Sequence, residues 1–225
     1  MNNNVAQLDK SRLNTKNRII DSAEELFAER GFVETSLRLI TTRANVNLAS
    51  VNYHFGSKKS LIQAVFDRYL SVFFKDLQQQ LDTLEQTQHT AEVEEVLQTM
   101  AEPLMCLDLI RDGGTGIFMQ LIGRAYSESQ GHIRRFMMEK YGAVMERFYH
   151  LIYASLPNHS PFEVFLRLHF TMGAVVFTFA GNQALADIAL ADFNKEITVE
   201  DISQKLIPYL AAGLKNVSVS TVEQL

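Results

Sequence analysis

Arg38, Ser50, Asn52, Tyr53, His54 and Lys58 fall within one stretch of 21 residues. Together they offer a guanidinium, a hydroxyl, a carboxamide, a phenol, an imidazole and an ammonium. Such a set suits a nucleic acid. An arginine reaches a guanine edge or the backbone, an asparagine pairs with adenine N6/N7 or a phosphate, and a phenol or imidazole donates to phosphate oxygens. Lys58 stands just behind the glycine and serine of VNYHFGSKKSL (Val51 to Leu61). There it enters the first turn of a helix, where the macrodipole favours acids over cations. A phosphate opposite would balance it, and the open amides of the helix start would bind the same group. Taken singly, Lys58 and Lys59 read as a solvated helix start. Taken with their neighbours, they read as facing a polyanion.

Holding these groups in place requires helices at fixed angles. Ile19, Ile20, Ala23, Leu26 and Phe27 form one apolar stripe, which predicts a helix of about four turns. Gly31 ends it in the left-handed C′ position. Thr35 or Ser36 caps a second helix with Leu37, Ile40 and Ala44 inward. Asn45 takes a left-handed turn. Asn47 then caps a short third helix, Leu48 to His54, with Val51 and Phe55 inside. Its outward residues are Leu48, Ala49, Ser50, Asn52 and Tyr53, and the small pair Ala49-Ser50 lets it sink into a major groove. Gly56-Ser57 breaks and recaps the chain before a long helix from Lys58 to Leu84. Two short helices around Asn45-Val46-Asn47 have the layout of a helix-turn-helix.

Charge is divided unevenly. Residues 1 to 60 carry nine Lys/Arg against six Asp/Glu, and the remainder twelve against twenty, within a net charge of −5. A basic head on an acidic body suggests that only the head meets a polyanion. With 225 residues, 47% of them hydrophobic, the chain can bury a sizeable core. The polar first fifteen residues lack the apolar core of a signal peptide. The nearest approach to a membrane span, Phe170 to Ala180, is too short and reads as a buried helix. A single cysteine, Cys106, excludes an internal disulfide and a cysteine-rich metal site. The expectation is a cytoplasmic protein with no membrane partner.

Beyond the head, polar EQTQHTAEVEE (Glu85 to Glu95) reads as a junction. Further helices are expected over Val93 to Leu109, Thr115 to Ser127, Ile133 to Ser155, Phe162 to Ile188 and Val199 to Leu214. Gly113-Gly114 and Pro157 to Pro161 punctuate them. The fold class is all-α in two parts. Seven of the eight methionines follow residue 90 and mix with aromatics such as Phe118, Phe148, Phe170 and Phe177. That composition suits a deformable cavity for a flexible apolar ligand, or simply a methionine-rich core. His169 between Leu168 and Phe170 reads as a hydrogen-bonded core residue or a ligand contact. Arg124 needs an anionic partner if buried, which a ligand carboxylate or Glu128 at i+4 would supply. The small residues of Phe162 to Ile188 and the stripe Leu206, Ile207, Leu210, Leu214 mark the last two helices as a packing seam.

FAERGFVETSLRLITTRANVNLASVNYHFGSKKSLIQAVF (Phe27 to Phe66) resembles the amino-terminal domain of TetR-family transcriptional repressors. The pattern is a glycine-ended first helix, Thr-Ser opening the second, Tyr-His-Phe, and Ser-Lys-x-x-Leu. By position, the resemblance implies DNA contacts from Thr35, Ser36, Arg38, Ser50, Asn52, Tyr53, His54 and Lys58, with Leu48 on the same face. Asn52, Asn45 and Leu48 depart from a usual tyrosine, glycine and small polar residue. It also implies a helix-turn-helix domain over 14–74 (motif about 36–55), and a helical effector-binding and dimerisation domain over 75–225. The body segments FMQLIGRAYSESQGHIRRFM (Phe118 to Met137) and RLHFTMGAVVFTFAG (Arg167 to Gly181) are similar to the PsrA-like branch, whose members respond to long-chain fatty acids or their acyl-CoA esters. The implied protein is a homodimer on double-stranded operator DNA, a repressor of fatty-acid metabolism genes released by that effector. Met119, Arg124, Phe148, His169, Phe170 and Phe177 are the expected ligand-binding residues.

No enzyme is expected. Gly113-Gly114-Thr115-Gly116 lacks the strand and lysine of a phosphate loop, the histidines lack metal spacing, and there is no Gly-x-Ser-x-Gly elbow. No cofactor or metal is implied. The alternative is a helical lipid-binding carrier that never touches DNA.

Overall fold

A computed structural model describes residues 2–87, 89–128 and 131–216, with side chains from residue 14. Every regular element among them is helical. The first, α1 (Asn2–Glu34), begins well before the expected stripe. Ile19, Ala23, Leu26 and Phe27 are fully buried on it. Gly31 bends its end at φ 84°, ψ 174°, backbone that a side-chain-bearing residue rarely adopts.

The next two helices are short and capped at both ends. Ser36 Oγ accepts the Leu39 amide at the start of α2 (Leu37–Ala44). Asn45 ends it in the left-handed region at φ 51°, ψ 53°. Asn47 Oδ1 accepts the Ser50 amide to start α3 (Leu48–Phe55). Such caps satisfy amides that a short helix would otherwise leave open. Gly56 then takes φ 73°, and Ser57 Oγ accepts the Ser60 amide to start α4 (Lys58–Glu85). One face of α4 closes the head with Leu61, Ile62 and Val65, and its continuation buries Tyr69, Phe74, Leu77 and Leu81 in the body. The helix runs unbroken through residue 74, so head and body share it and one continuous core.

The body departs from expectation at two breaks. Val93 to Leu109 is not one helix but α5 (Val93–Gln98), α6 (Ala101–Met105) and a 3₁₀ turn, Cys106–Leu109. Pro103 explains this: it has no amide to donate and its ring excludes the carbonyl four residues back, at Thr99. After α7 (Gly114–Ser127) and α8 (Gly131–Ser155), the expected helix over 162–188 divides at Gly181 into α9 (Pro161–Ala180) and α10 (Asn182–Phe193). The last is α11 (Val199–Lys215).

The α11 part of the expected seam turns inward. Leu210 and Leu214 of α11 are buried within the chain, so that stripe packs inward. Nor is α9 a buried helix. Only Val164 and Phe179 are fully covered on it, and α10 buries no residue at all. By length and composition α9 is apolar enough to cross a membrane, although Glu163 and Arg167 interrupt it.

Candidate nucleic-acid interface and effector cavity

The outer surface of α2 and α3 carries the expected chemistry. Arg38, Asn52 and Tyr53 are exposed, and among the described residues the Arg38 and Asn52 side chains have no polar partner. Tyr53, 68% exposed, meets the half-buried His54 edge-on at 5.0 Å. Leu48 is exposed beside them. Ser36 is exposed but serves as the α2 cap, and the Ser50 hydroxyl donates to Asn47 Oδ1 at 3.0 Å. Both hydroxyls keep a lone pair for a further donor.

Thr35 does not belong to this surface. It is fully buried, and its hydroxyl is placed to donate to Leu26 O at 3.1 Å and Gly31 O at 2.7 Å. Its one proton serves carbonyls of α1, the nearer being Gly31 O, where the motif by position implied a DNA contact. Arg18 does the corresponding work for the turn, donating to the carbonyls of Ala44 and of Asn45, the latter at 3.0 Å. Arg43 pairs with Glu29 at 3.3 Å and Glu25 at 3.6 Å. Lys58 is half-buried at the start of α4. Burial pushes its ammonium below the ordinary lysine value, and the charges of Glu128 and Glu34 pull it back up.

Two polar junctions tie this head to the body. In the first, fully buried Glu24 of α1 receives Arg111 at 2.6 Å and Arg68 at 3.0 Å. Burial, and then the Glu24 charge, push the neighbouring Tyr69 phenol well above its ordinary value. In the second, Glu128 at the end of α7 accepts the amides of Phe32 at 3.1 Å and Val33 at 2.8 Å. One turn earlier, Arg124 donates to Glu29 O at 3.0 Å. Neither junction shows in the sequence, because the partners of the second lie 95 and 96 positions apart.

The six expected ligand residues are not gathered into one pocket. Met119 and Phe148 are core residues, and Arg124 is engaged with α1. Phe170 and Phe177 stand 69% and 84% exposed on the outer face of α9. Seven residues apart, they share a face about 100° round the helix from His169 and Val176. Of the six, His169 alone lines the small cavity of about 170 Å³ between α7 and α9, with Ile122, Gly123, Tyr126, Met172, Gly173 and Val176. Its Nδ1 sits 2.7 Å from Phe165 O, so that nitrogen carries the proton. The helices meet closely because Gly116 and Gly123 lack side chains. A Cβ at either would come within 3.3 Å of α9. A second cleft of about 420 Å³, between α6, the 3₁₀ turn and α11, includes Met105, Cys106 and Ile207 but none of the six. Burial, then Asp76, raises the Cys106 thiol. Gly113-Gly114 is a tight turn: Gly113 has φ 68°, and a Cβ on Gly114 would lie 2.2 Å from Leu107 O.

Comparison with known proteins agrees with this arrangement. Residues 19–65 match the family described as "Bacterial regulatory proteins, tetR family", and residues 98–213 match "Tetracyclin repressor-like, C-terminal domain". The chain belongs to the tetR family of bacterial regulatory proteins, a family of helix-turn-helix transcriptional regulators. It is 36% identical over 67 residues to the probable HTH-type transcriptional regulator YttP of Bacillus subtilis, covering 30% of this chain and 32% of that one. It is 49% identical over 49 residues to the HTH-type transcriptional repressor Rv3405c of Mycobacterium tuberculosis, covering 22% and 26%. The matched stretch thus spans about a third or less of those relatives. Among solved structures, a TetR-like transcriptional regulator from Rhodococcus sp. RHA1 aligns at TM-score 0.58 and 21% identity over 90% of this chain and 97% of that one. The fatty acid degradation regulator FadR from Bacillus halodurans aligns at 0.57 and 15%, with the same coverage. At these identities the likeness concerns the fold.

Proposed function

We propose that the protein is a dimeric, effector-responsive transcriptional repressor that binds double-stranded operator DNA through α2 and α3. One observation carries this reading: Arg38 and Asn52 stand exposed, without polar partners among the described residues, on short helices whose inner faces and caps are fully used. In such a fold the second helix of the motif enters the major groove, and two heads meet half-sites one turn apart. Dimerisation is assigned to the outer face of α9 and α10. There Phe162, Phe170, Phe177, Ile188 and Phe193 are all more than half exposed, and exposed large apolar side chains on one element mark an interaction surface. A partner's matching face would cover it, which also gives the apolar α9 a role outside any membrane. The protein would act in the cytoplasm, where its DNA is.

For the effector we propose a long-chain fatty acid or its CoA ester. The reading rests on the resemblance of Phe118 to Met137 and Arg167 to Gly181 to the PsrA-like branch and on the apolar α7/α9 cavity. At about 170 Å³ that cavity is smaller than the roughly 300 Å³ at which ligand pockets begin, so an acyl chain entering there must part α7 from α9. The test is selection of sheared genomic DNA on the purified protein, with and without fatty acids and CoA esters of graded length. The expected result is a small set of fragments sharing a two-fold symmetric motif, depleted by one class of acyl compound. Fragments without a shared motif would contradict the DNA reading. A shared motif insensitive to every acyl compound would contradict the effector reading alone.

A further inference from the structure

The end of α7 grips the corner through which α1 passes into α2. Glu128 Oε1 accepts the Phe32 amide and Oε2 the Val33 amide, so both carboxylate oxygens are used on consecutive backbone donors. Arg124, one turn back, takes the Glu29 carbonyl. A single turn of the body thus holds an acceptor and two donors of the head's backbone. The fit is close. A Cβ on Gly31 would lie 2.0 Å from Glu128 Oε1, so only a glycine lets the carboxylate reach the corner. Three residues beyond Val33 stands Ser36, the cap of α2. The Glu128 charge also acts on Lys58, at the start of α4.

We propose that Glu128 is a positioning residue for DNA binding: its carboxylate fixes the angle of the α2–α3 unit against the body and thereby the spacing of the two heads. Charge-assisted hydrogen bonds to two backbone amides are stronger and more directional than neutral ones, and backbone amides cannot swing away as a side-chain partner would. The alternative anchors are less constraining. Arg43 with Glu29 and Glu25 joins α2 to α1 within the head and leaves the head's angle to the body unset. Glu24 with Arg111 lies further back on α1, so the corner can still turn about it. The same α7 turn contributes Gly123 and Tyr126 to the small cavity, so a ligand that displaces them moves the grip itself.

This proposal rests on the regulator reading, and its test separates the two. In the full-length protein, Glu128→Ala removes both acceptors, whereas Glu128→Gln keeps the bulk and one of them. Hydrogen exchange at the Phe32 and Val33 amides reads the grip without DNA. Both should exchange fast in Glu128→Ala, and one should remain protected in Glu128→Gln. Protection unchanged from wild type would overturn the grip. On DNA, Glu128→Ala should lose about tenfold on the selected operator and less than about twofold on random sequence. It should also tolerate operators with one base pair added or removed between half-sites, which wild type should reject. A merely structural residue would lower the melting temperature and the active fraction and leave the spacing preference intact. That result, with normal exchange elsewhere, would overturn the positioning role. Should wild type enrich no operator, the regulator reading fails and the exchange arm still decides whether Glu128 holds the corner.

Discussion

Replacing Glu24 should test whether the head and body are held as one unit. Its side chain is fully buried on α1 and accepts Arg111 at 2.6 Å and Arg68 at 3.0 Å. Glu24→Ala leaves two guanidiniums facing a gap. Each keeps a second, more exposed acid: Asp21 at 2.6 Å for Arg68 and Glu25 at 3.5 Å for Arg111. The loss therefore belongs at the low end of the range for breaking a buried pair, about 3 kcal/mol. For a chain of this size that is a fall of roughly 6–12 °C in melting temperature. Glu24→Gln retains the volume and one acceptor and should cost about half as much. Replacing Glu24, Arg68 and Arg111 together by Leu, Met and Met should be milder than Glu24→Ala, because desolvation of three charges is avoided. Urea denaturation with matched calorimetry is the assay. A Glu24→Ala protein within about 0.5 kcal/mol of wild type, the usual scatter of surface changes, would refute the reasoning.

The remaining predictions concern DNA and assembly. Lys58→Ala should lower the slope of log affinity against log salt by about 0.9 per half-site, and an unchanged slope in a folded dimer would remove Lys58 from the backbone. Thr35→Val should cost about 1–3 kcal/mol in urea denaturation, because the one hydroxyl donor facing the buried carbonyls of Leu26 and Gly31 is lost, while the salt slope stays the same; a change in slope with normal stability would return Thr35 to the interface. Phe177→Glu should shift sedimentation from dimer to monomer with little loss of helix content, and a dimer of wild-type affinity would move the seam away from α9.

What the sequence discloses here is mostly local. Ser36, Asn45, Asn47 and Ser57 announce caps and a turn through their own side-chain chemistry, and each does so within three residues. The stripe from Ile19 to Phe27 is equally local, and it is buried as the spacing predicts. Carrying a motif by position is weaker, since position says nothing of orientation. Thr35 shares the motif with Ser36 but points inward to cap α1. Apolar composition misleads in the same way for α9. Phe170 and Phe177 look like pocket residues until the helix is set against α7, which leaves them outside. The break before Pro103 had a legible cause in the proline itself. The grip of Glu128 on Phe32 and Val33 did not, because nothing near either partner signals the other.

The central claim is that the exposed face of α2 and α3 reads DNA. It is tested most directly by titrating wild type and Arg38→Ala against one enriched fragment and its scrambled counterpart at a single fixed salt concentration. Arg38 is exposed and without a side-chain partner among the described residues, so its removal should not disturb the fold. If it reads a base edge, Arg38→Ala should cost about 1–3 kcal/mol on the enriched fragment and almost nothing on the scrambled one. Wild-type protein that binds both fragments equally, with Arg38→Ala indistinguishable from it, would contradict the account.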